Sequence, residues 1–179
     1  MKKKKEYREI VPGESWFKST LVRITLYLLG LGIQEACNLD PRAKKEMEKL
    51  PDPFTFSIGI HDGIAATVQK KGGRMKYLRV INEKIQADLE LRFKNLEYTY
   101  LAMTGRISTP NLGYHFRQYI KGDLARMMTM IRIMNIAQTL LFPNIIVRFY
   151  IKKVPRLTVR TMINRVIAYI NIFGLSAFK

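Results

Sequence analysis

One cysteine, two histidines and only 14 acidic side chains are spread over 179 residues, against 31 Lys and Arg. The single thiol, Cys37, cannot close an intramolecular disulfide, so the fold does not depend on an oxidising compartment. Cys37 follows Ile33 and Ala36, a setting that predicts a buried, inert side chain rather than a reactive one. His61 and His115 have no second ligand at the i+3 or i+4 spacing that helical metal sites use. With Cys37 they are the whole stock of soft ligands and bases, and they read as surface or sheet-edge histidines. A phosphate-binding loop is missing too. Gly30-Leu31-Gly32 has no strand before it, and Gly59 and Gly63 fall in a hairpin, so nucleotide binding has no support. Asp88, Glu90 and Glu97 lie close in sequence, but Asp88 and Glu90 share the outer face of a strand, where solvated charge is the expectation. The residues therefore predict no catalytic set, no metal, no cofactor and no enzyme.

Long hydrophobic runs are also lacking. The most apolar one, Leu21 to Ile33, is broken by Arg23 and Thr25 and falls short of the ~20 residues a membrane span requires. Lys2 to Lys5 give it a basic start, but no small-residue cleavage pattern follows. It reads as a core or interfacial helix of a cytoplasmic protein, at most peripheral to a membrane.

What is present is ordinary globular stock, 47% apolar and 25% charged, in a length suited to one domain with a real core. The formal charge of +17 attracts anionic partners without choosing among phospholipid surface, nucleic acid and acidic protein. Residues 1–13 form a basic stretch ending in Pro12-Gly13 and predict a flexible tail. A helix is expected from Ser15 or Trp16 to about Gly30, with Leu21, Ile24, Leu28 and Leu31 at helical spacing. A second follows Asp40-Pro41, where Asp40 suits the N-cap and Pro41 the first turn, and Pro51 ends it.

At Phe54 the period changes to two. Phe54, Phe56, Ile58 and Ile60 share one face, and the other is small or polar. Asp62-Gly63 predicts a two-residue hairpin, and Gly72-Gly73 a second tight turn. Met75 to Val80 makes a third strand. Residues 87–93 then alternate, apolar at odd numbers and charged at even ones. Residues 95–104 and 109–115 look helical, 116–121 makes a fifth strand, and Asp123 caps a helix from Leu124 to Leu141. Polar residues of that helix (Arg126, Thr129, Arg132, Asn135 and Gln138) trace one stripe, and the rest calls for burial. The end of the chain predicts two helical pieces, each with an apolar and a basic side, divided by Pro155. The fold class is α+β: a five-stranded, mainly antiparallel sheet with helices on one face, in a single domain over 14–179 whose segments 14–52 and 143–179 are helical extensions.

The order of signals in 87–142 is recognisable. Ala87-Asp88-Leu89-Glu90-Leu91-Arg92-Phe93, Asn95-Leu96-Glu97, Leu101-Ala102-Met103-Thr104-Gly105 and Tyr119-Ile120-Lys121-Gly122-Asp123-Leu124-Ala125-Arg126-Met127-Met128 follow one another. Together with the meander from Phe54 to Val80, they resemble the sterol-carrier-protein type 2 domain over roughly 53–142. The resemblance implies an apolar tunnel between sheet and helices for a sterol, fatty acyl chain or other lipid. It implies carriage rather than catalysis. The sequence ends Ser176-Ala177-Phe178-Lys179, which is not the peroxisomal address of some members, so that location is not carried over.

Ligand contacts are expected from the strand face Leu89, Leu91 and Phe93, from Tyr100, Leu101, Met103 and Phe116, and from Met127, Met128, Ile131 and Met134 of the long helix. Flexible thioethers adapt to variable ligands. The alternative is that the same side chains only fill a core. Arg148, Lys152, Lys153, Arg156 and Arg160 are the expected contacts to an anionic membrane surface, with a solvated basic helix as the alternative. A nucleic-acid-binding or other basic interaction module with a collapsed core is the competing function. It has charge in its favour, but no recognition pattern and no exposed stacking platform.

Overall fold

The computed structural model describes residues 15–81, 86–107, 109–141 and 159–174. The expected tail at 1–13 and the first C-terminal piece, up to 158, lie outside the described residues. Two helices open the fold, α1 (Trp16–Leu39) and α2 (Pro41–Glu48). Ser15 caps α1 by accepting from the Lys18 amide. α1 runs nine residues past the expected stop at Gly30, because Gly30 and Gly32 serve as packing sites. A Cβ on Gly30 would lie 2.5 Å from the Tyr77 ring, and one on Gly32 would lie 2.3 Å from Leu141. The close approach offsets the roughly 1 kcal/mol that each glycine costs in a helix. The buried side is Val22, Leu26, Leu29 and Ile33, not the expected Leu21, Ile24, Leu28 and Leu31; Ile24 lies at the surface.

Asp40 makes the corner. It precedes a proline and so is extended, with φ −97° and ψ 118°. Its carboxylate accepts from the Arg42 amide at 2.9 Å and from the Arg42 guanidinium at 3.1 and 2.8 Å. Burial works against its charged form, but those hydrogen bonds and the Arg42 charge outweigh it and hold the Asp40 pKa below the ordinary value.

The sheet follows as β1 (Phe54–Ile60), β2 (Ala65–Lys71), β3 (Arg74–Ile81) and β4 (Leu89–Phe93), then α3 (Leu96–Met103), α4 (Thr109–Tyr114) and β5 (Gln118–Lys121). The strand order is β3-β2-β1-β4-β5. Three ladders are antiparallel and one, β1 with β4, is parallel. The sheet is thus mixed, since β4 returns beside β1 in the same direction. Glycines at positive φ, 59° at Gly72 and 70° at Gly73, form the β2–β3 turn, and the Asp52 carboxylate accepts both their amides at 3.1 and 2.7 Å. The β1–β2 loop has four residues, His61 to Ile64, rather than two, and the Ile60 amide donates to the Ile64 carbonyl within it. A bulge in β3 sets Val68 opposite Tyr77 and Thr67 opposite Arg79; Gln34 of α1 accepts the Tyr77 amide at 2.8 Å.

The chain continues as α5 (Leu124–Leu141), α6 (Val159–Tyr169) and a π-helical turn, Ile170–Gly174. Asp123 caps α5 through the Ala125 amide at 2.6 Å. α1 packs on β2, β3 and α3, while α5 packs on α1, α2 and α6. One hydrophobic core joins the sheet, α1, α2, α5 and Ala168 of α6.

Candidate functional site

The apolar face of the sheet is set by register. Phe56 stands beside Val68 on one side and Leu89 on the other, and Ile58 stands between Ala66 and Leu91. Phe93 extends the row beside Ile60. α5 contributes Met127, Met130 and Met134 to the same core, at i, i+3 and i+7, with Ile133 alongside. Met47 and Met75 are buried there as well. Five thioethers give this layer side chains that change shape at low energetic cost.

The expected ligand contacts divide into three groups. Leu89, Leu91, Phe93, Met127 and Met134 meet in the core, and Ile131 and Met103 pack partly buried against it. Tyr100, which also packs against that core, and Leu101 are half-buried. Tyr100 lies between two cations, the Lys18 ammonium 5.4 Å and the Arg106 guanidinium 5.5 Å from its ring centre, so its face is turned to charge. Phe116 and Met128 are at the surface, outside the packed layer. Phe116 sits in a turn with φ 53°, and Met128 lies on the side of α5 away from Met127 and Met130. Met130 and Ile133 were not among the expected contacts, although both belong to the same apolar run. Arg148, Lys152, Lys153 and Arg156 lie outside the described residues. The backbone of Arg160 begins the second position of α6, and its side chain is likewise outside them.

The other face of the sheet corrects the expectation of solvated charge for Glu90, while Asp88 is exposed. Thr55, Ser57 and Thr67 are buried there. Glu90 and Arg92 pair at 3.0 Å with side chains only 13% and 8% exposed, and Lys121 reaches Glu90 from β5 at 3.5 Å. Charges of opposite sign two apart on a strand share a face, so this pairing was readable. Asp88 also has a structural partner: its carboxylate accepts the Thr55 amide at 2.7 Å. Lys70 lies buried at the end of the apolar face and donates to the Leu50 carbonyl at 2.6 Å; no pattern in the sequence pointed to it.

The exposed His61 bonds Tyr119 Oη through Nδ1 at 2.6 Å and lies 3.1 Å from Asp62 through Nε2, tying the β1–β2 loop to β5. Burial pushes the Cys37 thiol up to about 12, which leaves it protonated and unreactive at neutral pH. No group of His, Cys, Asp and Glu among the described residues could hold a metal ion. No helix among them is long and apolar enough to cross a membrane.

No family model and no curated protein matches the sequence. Among solved structures, the chain is similar to a UbiJ-SCP2 ubiquinone synthesis protein, with 13% identity over 68% of this chain and 98% of that one and a TM-score of 0.44. It is also similar to the apo form of sterol carrier protein 2 from Yarrowia lipolytica, with 13% identity over 73% and 96% of the two chains and a TM-score of 0.39. A third is sterol carrier protein domain 2 of Helicoverpa armigera, 14% identical over 73% and 94%, with a TM-score of 0.39.

Proposed function

We propose that this protein is a carrier, not an enzyme, and that it holds a lipid-like apolar ligand between the sheet and α5. The observation that carries the reading is a buried layer rich in methionine, with exposed apolar residues on β5 and at the start of α5. Met127, Met130 and Met134 face the layer. Ile120, opposite Leu91 in the β4–β5 ladder, is exposed together with Leu124 and Met128 at the start of α5. A ligand entering past these residues shifts thioethers rather than rigid side chains. Each methylene moved out of water contributes ~0.8 kcal/mol, so an acyl chain binds without a charged anchor. Carriage also requires contact with a donor membrane, for which a charge of +17 favours an anionic one.

Native mass spectrometry of the purified protein tests the reading, with a co-purified lipid as the expected result. Delipidated protein should then take up a fluorescent fatty acid or sterol analogue. If it binds neither, yet retards DNA or RNA at physiological salt, the carrier reading fails and the basic interaction module replaces it.

A further inference from the structure

α6 is docked with its polar side inward. Asn164 Nδ2 donates to the Leu39 carbonyl at 3.1 Å, and Arg165 Nη2 to the Thr139 carbonyl at 2.7 Å. The Tyr169 hydroxyl donates to the Leu141 carbonyl. In the π-helical turn, Asn171 Nδ2 donates to Glu35 Oε2 at 2.9 Å. The three carbonyls belong to the last turns of α1 and α5, where backbone acceptors have no partner within their own helix. Polar side chains of α6 therefore cap two other helices. Among the described side chains, Ala168 of α6 and Ile172 of the turn are the buried apolar ones.

The apolar side of α6 is left in solvent. Ile163 is 54% exposed, Val166 57%, Ile167 37% and Ile170 62%. Their spacing is i, i+3, i+4 and i+7, the stripe that a surface helix ordinarily buries. The stretch of sequence that contains it is cationic: residues 124–179 carry nine Lys and Arg and not one Asp or Glu. A second copy of this chain would set +17 against +17, and repulsion opposes such pairing. Nucleic acid offers phosphates but nothing to cover a stripe of Ile and Val. An anionic phospholipid surface matches both features, with headgroups for the cations and the acyl boundary for the stripe.

We propose that α6 and the turn after it form a membrane-docking element, in which Ile163, Val166, Ile167 and Ile170 insert into an anionic phospholipid surface. The carbonyl caps keep the helix fixed to the protein while its outer side enters the lipid. The proposal rests on the carrier reading for its purpose, since it places the exchange surface on a helix packed against α5.

Co-sedimentation with phosphatidylcholine vesicles, with and without phosphatidylglycerol, tests it. The wild type is expected to bind the phosphatidylglycerol vesicles preferentially. Ile163→Gln/Ile167→Gln should weaken that binding about thirtyfold through the lost transfer of two isoleucines, with fatty-acid binding in vesicle-free solution unchanged. Val166→Trp in a Trp16→Phe background should shift its emission to the blue on the same vesicles. Unchanged vesicle binding by the double variant, or no blue shift, overturns the proposal. So does a wild-type dimer that the double variant converts to monomer while vesicle binding stays the same. Docking and insertion by a protein that takes up no fatty acid would leave the docking element standing and remove the carrier reading; uptake without docking would do the reverse.

Discussion

α5 and α6 pack against each other and solve opposite problems. α5 turns Met127, Met130, Ile133 and Ala137 to the core and leaves Arg132 and Asn135 in water. α6 turns Asn164, Arg165 and Tyr169 toward its neighbours and leaves three of its branched apolar residues outside. An amphipathic pattern states that a helix has two sides, not which one faces the protein. The choice depends on what the neighbours lack. α1 and α2 lack apolar cover, which α5 provides; the ends of α1 and α5 lack donors, which α6 provides.

The comparison breaks most sharply at two isoleucines of these helices, Ile133 at 0% and Ile163 at 54% exposure. Ile133→Ala should cost about 3 to 4 kcal/mol in urea unfolding, the cost of deleting a buried branched side chain with little collapse around it. A loss under ~1 kcal/mol would mean that the methionine layer closes over the gap, and that α5 is less firmly packed than its burial implies. Arg165→Met comes next, at about 2 kcal/mol, because a charged donor leaves the Thr139 carbonyl and the favourable C-terminal end of α5. If that variant unfolds like the wild type, water replaces the guanidinium and the inward polar side of α6 is incidental.

Much of the sheet is legible in the sequence alone. The alternation in β1 and β4, the paired glycines at 72 and 73 and the Asp123 cap are local signals, and each element formed close to where its signal stood. α1 was misjudged in length and in its buried side because Gly30 and Gly32 answer to Tyr77 and Leu141, contacts distant in sequence. The part-buried Glu90–Arg92 pair differs from the expected solvated charge because burial of a strand's second face is a tertiary outcome. Of the candidate site, the strand residues and Met127 and Met134 followed from periodicity. Phe116 and Met128 share the apolar or thioether character of the others but lie at the surface, a difference that residue type does not carry. The reversal of α6 was not legible at all, since it depends on carbonyls at the ends of other helices.

Smaller effects sharpen the comparison at the corner where α6 meets α1. Asp40 ends α1 and caps α2, one residue beyond the Leu39 carbonyl that Asn164 occupies. Asp40→Ala should cost about 1 kcal/mol at neutral pH, the usual worth of such a cap. Since its native pKa lies below the ordinary 3.8, the charged carboxylate's contribution is whole above that value. It is lost as the pH falls through the native pKa. Wild type and variant should therefore differ most near neutrality and converge in acid, as pH-dependent unfolding would record.

Ile163→Ser should produce the smallest change, under about 0.5 kcal/mol, because an exposed side chain that touches no cap leaves little behind when shortened. That small value carries the comparison further than the large ones do. If the stripe on α6 were buried against another part of the chain, Ile163→Ser would cost several times more and approach Ile133→Ala. A near-neutral result, measured beside a large one in α5, would leave the apolar stripe without a role in folding. Its i, i+3, i+4, i+7 order must then be explained by something that α6 meets from outside the chain.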